Sequence, residues 1–499
     1  MKKGNIILIG LYDSDSFSIC ILHATLKKAA FNVSSIFFKR QNCDLTLSPP
    51  LSKEISCLLK QIKKLDPDLI GISVRTVLFQ LASQITKAIK QELDALIIWG
   101  GVHPTIRPYQ CLEFADIVCI GEGEGAIVEL ATRLSKGEGV DDIKNLCFKR
   151  NGTIIRNDMR PLIQNLDLIP FPDYSSENKY LVENGNLLPH RHYTNMIMTS
   201  RGCPFSCTFC CNSVLRKIYD GKGRYVRRRS VDNVIEELIQ AKKFRNLKNI
   251  NFQDDVFTFD IEWLKEFCFK YKKVINLPFC CYCHPKATNE EMIQFLKDAG
   301  LNSVGIGIQS GSEKIRHKYF QRYDTNEEIV KSVRILHKYG INYYCDILMD
   351  NPLETEKDRQ ETFNLLLKLP KPFFVNTHTL TYFPELKLTN LLLKKGMISE
   401  EDIEDRKQES YKRWCPHLDL TRNKENMFWA DLYFLASRKL PRSIVIRLSR
   451  NIFLKRHPKL LTLLLIWVVR SKSGQCLLYF IRKSKQWLNK LLNILERRE

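Results

Sequence analysis

Three thiols, Cys203, Cys207 and Cys210, stand in the segment Thr199-Ser200-Arg201-Gly202-Cys203-Pro204-Phe205-Ser206-Cys207-Thr208-Phe209-Cys210 at a C-x3-C-x2-C spacing. One short loop can bring such thiolates onto three irons of a [4Fe-4S] cluster, which leaves the fourth iron open to bind a reactant. Structural zinc suits the pattern less well, because it takes four ligands and usually draws them from two separated pairs. Cys211 adjoins Cys210 and is expected to point away from the other three. Three free buried cysteines are the bland alternative.

Two kinds of element must position this loop. Upstream, apolar runs at Asn5 to Gly10, Val33 to Lys39, Leu69 to Val74, Ala95 to Gly100 and Ile117 to Ile120 alternate with helix-period stretches such as Phe17 to Ala30 and Leu78 to Glu92. This is the βαβ pattern of an open parallel sheet, whose ligands sit beyond the carboxyl ends of the strands. Those ends carry small and hydroxyl residues: Ser73 and Thr76, then Gly100 and Gly101, then Gly121-Glu122-Gly123-Glu124. Glycines let backbone approach a bulky ligand, and hydroxyls can bond its polar edge. Downstream, strand candidates recur at Thr194 to Thr199, Asn249 to Gln253, Phe279 to Cys283, Ser303 to Ile308, Tyr343 to Leu348 and Phe374 to Leu380, with helical stretches between them. Six βα units predict an incomplete parallel barrel with its site at the strand carboxyl ends. Asp254-Asp255 and Gln309-Ser310 stand at two of those ends.

The cysteine loop, with Phe209 before its last Cys, resembles the radical S-adenosylmethionine (SAM) superfamily, and the first half resembles the cobalamin-binding domain that precedes the barrel in one large class of it. The resemblance implies a Rossmann-like cobalamin-binding domain over residues 1–145, a hairpin and Pro-rich linker over 146–193, a partial (βα)6 barrel over 194–383 and a basic helical region over 384–499. It implies a [4Fe-4S] cluster on Cys203, Cys207 and Cys210, with SAM on the open iron cleaved to a 5'-deoxyadenosyl radical. It also implies cobalamin beside Ser73, Thr76, Gly100, Gly101, Gly121, Glu122 and Gly123, and SAM contacts from Asp254, Gln309 and Ser310. Domains that ligate cobalt through histidine have Asp-x-His-x-x-Gly after strand one, whereas Asp13-Ser14-Asp15-Ser16-Phe17-Ser18 stands here, so no lower histidine is expected. His103 either faces the nucleotide or is satisfied within its loop. Pro352, Glu354 and Thr355 match a family turn, Thr355 serving as a helix cap or as a SAM contact. Arg227-Arg228-Arg229-Ser230 matches an Arg-x-Arg-Ser segment, for which a solvated basic edge is the default. Cys281 and Cys283 share a strand face, as core residues or as ligands of a second cluster.

The implied reaction is methylation of an unactivated carbon of a small-molecule, lipid or peptide intermediate. The alternatives are cyclisation or rearrangement with the same cofactors, and a non-catalytic cobalamin or redox sensor. An electron donor such as flavodoxin or ferredoxin is the implied partner.

The 499 residues carry 77 Lys and Arg against 55 Asp and Glu, a net charge of +22, which favours an anionic partner. No RNA-binding module follows the barrel, so nucleic acid is disfavoured. Seventeen Cys without a secretory signal point to a reducing, cytoplasmic compartment, and Met1 to Gly10 reads as a first strand. No apolar run of spanning length and no internal repeat occurs. From Arg442 onward, 14 Lys or Arg face 2 Glu. There Leu460 to Val469, with Trp487 to Leu492, predicts either a helix lying at the inner face of an anionic membrane or a cap packed on the barrel.

Overall fold

Strand β1 (Asn5–Leu11) is apolar at nearly every position because both its faces are covered: Ile7 and Ile9 pack into one layer, Ile6 and Leu8 into the other. The computed structural model describes residues 4–14, 16–40, 49–190, 195–244, 246–403, 420 and 422–470. The chain divides into two compact units. The first gathers Met1–Phe257, Phe269–Pro278 and the stretch from Thr381; the second gathers Thr258–Cys268, Phe279–Leu380 and the described helices from residue 422 onward. The division falls inside the stretch expected to form the barrel.

In the first unit, β1, β2 (Asn32–Phe38), β3 (Leu69–Ser73), β4 (Leu96–Gly100) and β5 (Ile117–Cys119) follow the five apolar runs and pair in parallel. β6 (Leu146–Arg150) and β7 (Thr153–Arg156) form the expected hairpin; its Asn151-Gly152 turn has positive φ at both residues. β8 (Lys179–Glu183) and β9 (Asn186–Pro189) form a second hairpin around Asn184-Gly185, so the linker extends the sheet at both edges. The order is β7-β6-β5-β4-β3-β1-β2-β8-β9. Direction of winding reverses between β3 and β1, where a doubly wound sheet opens a crevice at its carboxyl ends. The first unit also holds β10 (Met196–Ile197) and the antiparallel pair β11 (Ser200–Arg201) with β12 (Arg227–Arg228). β13 (Ile250–Phe252) runs parallel to β10.

The second unit contains β14 (Phe279–Cys283), β15 (Leu301–Gln309), β16 (Asn342–Met349) and β17 (Phe374–Thr379), all parallel and adjacent in that order. Helices Glu290–Ala299, Asn326–Lys338 and Glu356–Lys368 connect them. All six strand candidates of the barrel are therefore strands. Thr355 caps the last of these helices, accepting from the Asp358 N–H while Asp358 accepts in return. Cys281 and Cys283 share the fully buried face of β14 with sulfurs 3.9 Å apart.

Helix Lys424–Ser437 is buried from Asn426 onward, and helix Pro458–Arg470 packs on it through Leu461, Leu465 and a Thr462 hydroxyl that donates to Asp431 at 2.7 Å. Its other face exposes Leu460, Leu463, Leu464 and Trp467. Among the described residues no helix is long and apolar enough to cross a membrane; Trp487 to Leu492 lie outside them.

Candidate active site

The carboxyl ends of β1, β3 and β4 open into a cavity of about 550 Å³ that Arg201 and Gly202, just before the cluster cysteines, and Cys211 and Asn212, just after them, also line; Cys203, Cys207 and Cys210 are not in its lining, and every lining residue belongs to the first unit. Ser73, Gly100, Gly101, Gly121 and Gly123 line it from the sheet; Arg201, Gly202, Cys211, Asn212 and Asp255 line it from the loop side. Gly101 is required where it stands: φ is +110°, and a Cβ would fall 2.9 Å from the Val74 carbonyl. Thr76 does not reach the cavity. It is buried beside it, its hydroxyl 3.2 Å from His103 Nδ1, while the His103 ring packs on Phe79. His103 is thus tied through Nδ1 to its own domain, and among the described residues no histidine lines the cavity.

The glycine-acid turn after β5 has two roles. Its glycines make room, and its acids hold the cysteine loop. Glu122 Oε1 accepts from Arg201 Nη1 at 2.8 Å and from Arg227 Nη1 at 2.9 Å, its Oε2 accepts from the Ile163 N–H at 2.8 Å, and Glu124 takes the other Arg201 nitrogen. Burial works to raise the Glu122 pKa, but the two arginine charges and the Ile163 N–H outweigh it and hold it below the usual carboxylate range. Arg201 pairs with Arg227 across β11 and β12, so the clamp fixes the strand that leads into Gly202 and Cys203. Gly202 has φ +85°, and a Cβ there would lie 2.4 Å from the Tyr225 carbonyl.

Asp254 is spent inside this frame. It is fully buried and accepts from the Thr199 N–H at 3.0 Å, the Thr199 hydroxyl at 2.9 Å and the Ser200 hydroxyl. Its neighbour Asp255 is exposed and faces the cavity instead, and desolvation beside the cysteine loop pushes its pKa up. Asn212 Nδ2 donates to Asp255 at 3.2 Å and lies 3.7 Å from the Cys210 sulfur, while its Oδ1 accepts from the Tyr225 hydroxyl at 2.5 Å. Cys211 does not point away as expected: its thiol hydrogen-bonds Cys210 and is the largest influence lowering the Cys210 pKa, while burial pushes Cys203 up to about 12. The loop is held from below by Arg216 on the Cys203 carbonyl, and from a stretch without any motif by the Leu388 N–H on the Thr208 carbonyl at 3.2 Å.

Among the described residues no three His, Cys, Asp or Glu side chains are already gathered as a metal cage. The fit to an iron–sulfur cluster rests on the donor set, three thiols on residues 203 to 210 with no competing carboxylate between them. The fit to a corrinoid rests on the cavity's size and its glycine-lined mouth.

The arginine segment departs from expectation. Arg227 and Arg229 are buried, and Arg229 engages Glu237, Asn233 and the Met198 carbonyl; a solvated edge it is not. Gln309 and Ser310 belong to the second unit, where Gln309 has φ +69°. The Ser310 hydroxyl donates to Glu354 at 2.8 Å, and burial raises Glu354 to about 7. Sequence named the pair Asp254-Asp255 but assigned SAM to Asp254 alone, and it gave no role to Arg201, Asn212, Tyr225 or Leu388; the signal available for Asn212 was only its nearness to the last cysteine.

Two family models match: the B12 binding domain over residues 10–131 and the radical SAM superfamily over 197–366. The chain is 30% identical over 343 residues to the "uncharacterized methyltransferase PH0819" of Pyrococcus horikoshii, covering 66% of this chain and 71% of that one. It is 25% identical to cytidylyl-2-hydroxyethylphosphonate methyltransferase of Streptomyces wedmorensis (57% of this chain, 58% of that one). It is 24% identical to the anaerobic magnesium-protoporphyrin IX monomethyl ester cyclase of Cereibacter sphaeroides (62% and 50%). The chain thus spans little more than half the length of these last two. Among solved structures, the cobalamin-dependent SAM radical enzyme OxsB superposes with a TM-score of 0.66 at 18% identity, over 100% of this chain and 79% of that one. The methyltransferase TsrM from Kitasatospora setae superposes with 0.63 at 17%, over 89% and 90%. These two likenesses speak to fold. With both domains matched in this order, the chain is an enzyme of the radical SAM superfamily that carries a B12-binding domain ahead of its radical SAM domain.

Proposed function

We propose that the chain methylates an unactivated carbon of a small-molecule, lipid or peptide intermediate, using a [4Fe-4S] cluster, SAM and cobalamin. The observation that carries this reading is a cavity lined both by the strand ends of the B12-binding domain and by Arg201 and Gly202, which lead into the cluster cysteines. When bound, the cluster and SAM supply a carbon-centred radical and cobalamin supplies a methyl group. The chain's own task is position and exclusion. Cys203, Cys207 and Cys210 would hold the cluster. Asn212 would donate toward the Cys210 sulfur and keep Asp255 facing the cavity, where its carboxylate could accept from the amino group of SAM. Ser73, Gly100, Gly101, Gly121 and Gly123 would admit the corrinoid and its nucleotide tail; Thr76 supports that wall through His103. Gln309 and Ser310 remain the candidates from the second unit for SAM. The apolar side chains of Leu8, Ile98 and Ile127 would keep water from the cavity floor.

Relatives named as cyclases favour a second reading, rearrangement without methyl transfer. SAM labelled in its methyl group separates the two: label in the product supports methylation, and product without label supports rearrangement. A flavodoxin or ferredoxin would deliver the electron. The exposed stripe of Leu460, Leu463, Leu464 and Trp467 beside Lys455 and Lys459 supports contact with an anionic membrane surface. Sedimentation with phosphatidylglycerol vesicles tests it, with loss of binding expected for Trp467→Asp.

A further inference from the structure

The sheet of the second unit is unevenly covered. Along β14, β16 and β17 residues alternate between fully buried positions and half-buried ones. The half-buried face carries a polar group that no cofactor assignment uses. Asp346 stands in register between Gly307 of β15 and Asn376 of β17. Asn376 Nδ2 donates to Asp346 Oδ1 at 2.9 Å, and His378 Nε2 lies 3.1 Å from the same oxygen. The other oxygen, Oδ2, has no protein hydrogen-bond partner among the described residues. The Asp346 side chain is 17% exposed and that of His378 27%, so both can be reached by a ligand.

One pleat away on the same face, about 7 Å along the strand, the Tyr282 and Tyr344 rings meet edge to face at 5.8 Å. They close over Gly305, where a Cβ would fall 2.5 Å from Tyr344 Cζ. Beside Asp346, Gly307 contributes no side chain, and the amide of Gln309 folds back across it. The face thus offers an aromatic wall and a carboxylate oriented through one oxygen and open at the other.

A carboxylate oxygen left open in this way can accept a charge-assisted hydrogen bond from a ligand N–H or O–H. We infer that this face is the substrate-recognition site of the second unit, taking a molecule with a flat apolar portion against Tyr282 and Tyr344 and a hydrogen-bond-donating ammonium or hydroxyl group on Asp346 Oδ2. The inference deepens the proposed function and rests on it for the word substrate; binding itself does not depend on it. Asn376 and His378 are positioning residues, fixing the carboxylate so that its open oxygen faces outward.

The test is calorimetric titration of the cluster-loaded full chain with 2-phenylethylamine, 2-phenylethanol and 3-phenylpropionate. The amine or the alcohol binds at least about 10-fold more tightly than the anion; an amine preference identifies an ammonium ligand and parity a hydroxyl. Asp346→Asn removes the preference over the anion, and Tyr282→Leu weakens all three probes while leaving the preference intact. The second variant keeps the test decisive if Asp346→Asn melts early. A Cys203, Cys207 and Cys210 to Ala triple variant binds the probes as the parent does, so loss of cofactor chemistry and loss of this site are read separately. Equal binding of the anion, undiminished discrimination in Asp346→Asn, or no binding of amine and alcohol up to about 10 mM overturns the assignment.

Discussion

Glu122, in the turn after β5, accepts a hydrogen bond from Arg201 at 2.8 Å, and Arg201 lies two residues before Cys203. The turn that shapes the sheet side of the cavity therefore also anchors the loop that carries the cluster thiols. Both partners are largely buried, at 14% and 24% side-chain exposure, and Arg227 at 4% shares the same carboxylate oxygen.

Removing that carboxylate takes the acidic partner from the Arg227 guanidinium and leaves Arg201 with Glu124 alone. Glu122→Gln is expected to lower stability by about 2–4 kcal/mol and to reduce iron per chain after reconstitution. Denaturant melts and iron quantification check this. Were Glu122 only a contact for a cofactor tail, iron content would not change.

The adjacent acids Asp254 and Asp255 are expected to behave differently. Asp254→Ala strands the Thr199 N–H and two hydroxyls inside the protein and should cost about 2–4 kcal/mol, since each buried group left unpaired costs about 1–3. Asp255→Ala should leave the melting midpoint nearly unchanged and weaken SAM binding instead. Paired melts and equilibrium dialysis with SAM separate the two roles.

Much of this arrangement was legible in the sequence because its signals are local. The strands of both sheets announced themselves by apolar runs, the β6–β7 hairpin by Asn151-Gly152, and the cluster loop by cysteine spacing. The β8–β9 hairpin had an equal signal in Asn184-Gly185 but lay in a stretch taken as linker. The division of labour between Asp254 and Asp255 was not legible, because which of two adjacent acids turns inward is decided by Thr199, more than 50 positions earlier in the chain. The same holds for Arg227 and Arg229, whose burial depends on Glu122 and Glu237 rather than on their own basic run.

Gly100 offers a clean obstruction of the cavity. Its φ lies outside the left-handed region and a Cβ would meet only Cys119 Cβ, at 3.8 Å. Gly100→Leu should fold normally while its side chain occupies the cavity mouth, lowering retained cobalamin at least about 10-fold, a loss of about 1.4 kcal/mol of binding. Absorbance of the corrinoid after desalting reads the effect, with iron content as the unaffected control.

Asp431 sets a pH dependence in the helical region. It is 1% exposed, and burial raises its pKa from 3.8 to about 7 against the Thr462 hydrogen bond and the Arg422 charge. The folded state then holds a proton that the unfolded chain has released between about pH 4 and 7. Stability contributed by this group is therefore lost as pH rises through that window. Asp431→Asn, which keeps an acceptor for Thr462, should stabilise the chain at pH 8 by about 4 kcal/mol and leave it unchanged near pH 4. Thermal melts across that range check the sign.

The central claim is that one cavity serves both the B12-binding domain and the cluster loop. Its most direct measurement is an anaerobic preparation reconstituted with iron, sulfide and cobalamin, in which retained cobalamin and reductive SAM cleavage are quantified together, with the Cys203, Cys207 and Cys210 to Ala triple variant as control. About one cobalamin per chain is expected, together with SAM cleavage that disappears in the triple variant. Cleavage from a chain that retains no cobalamin would contradict it.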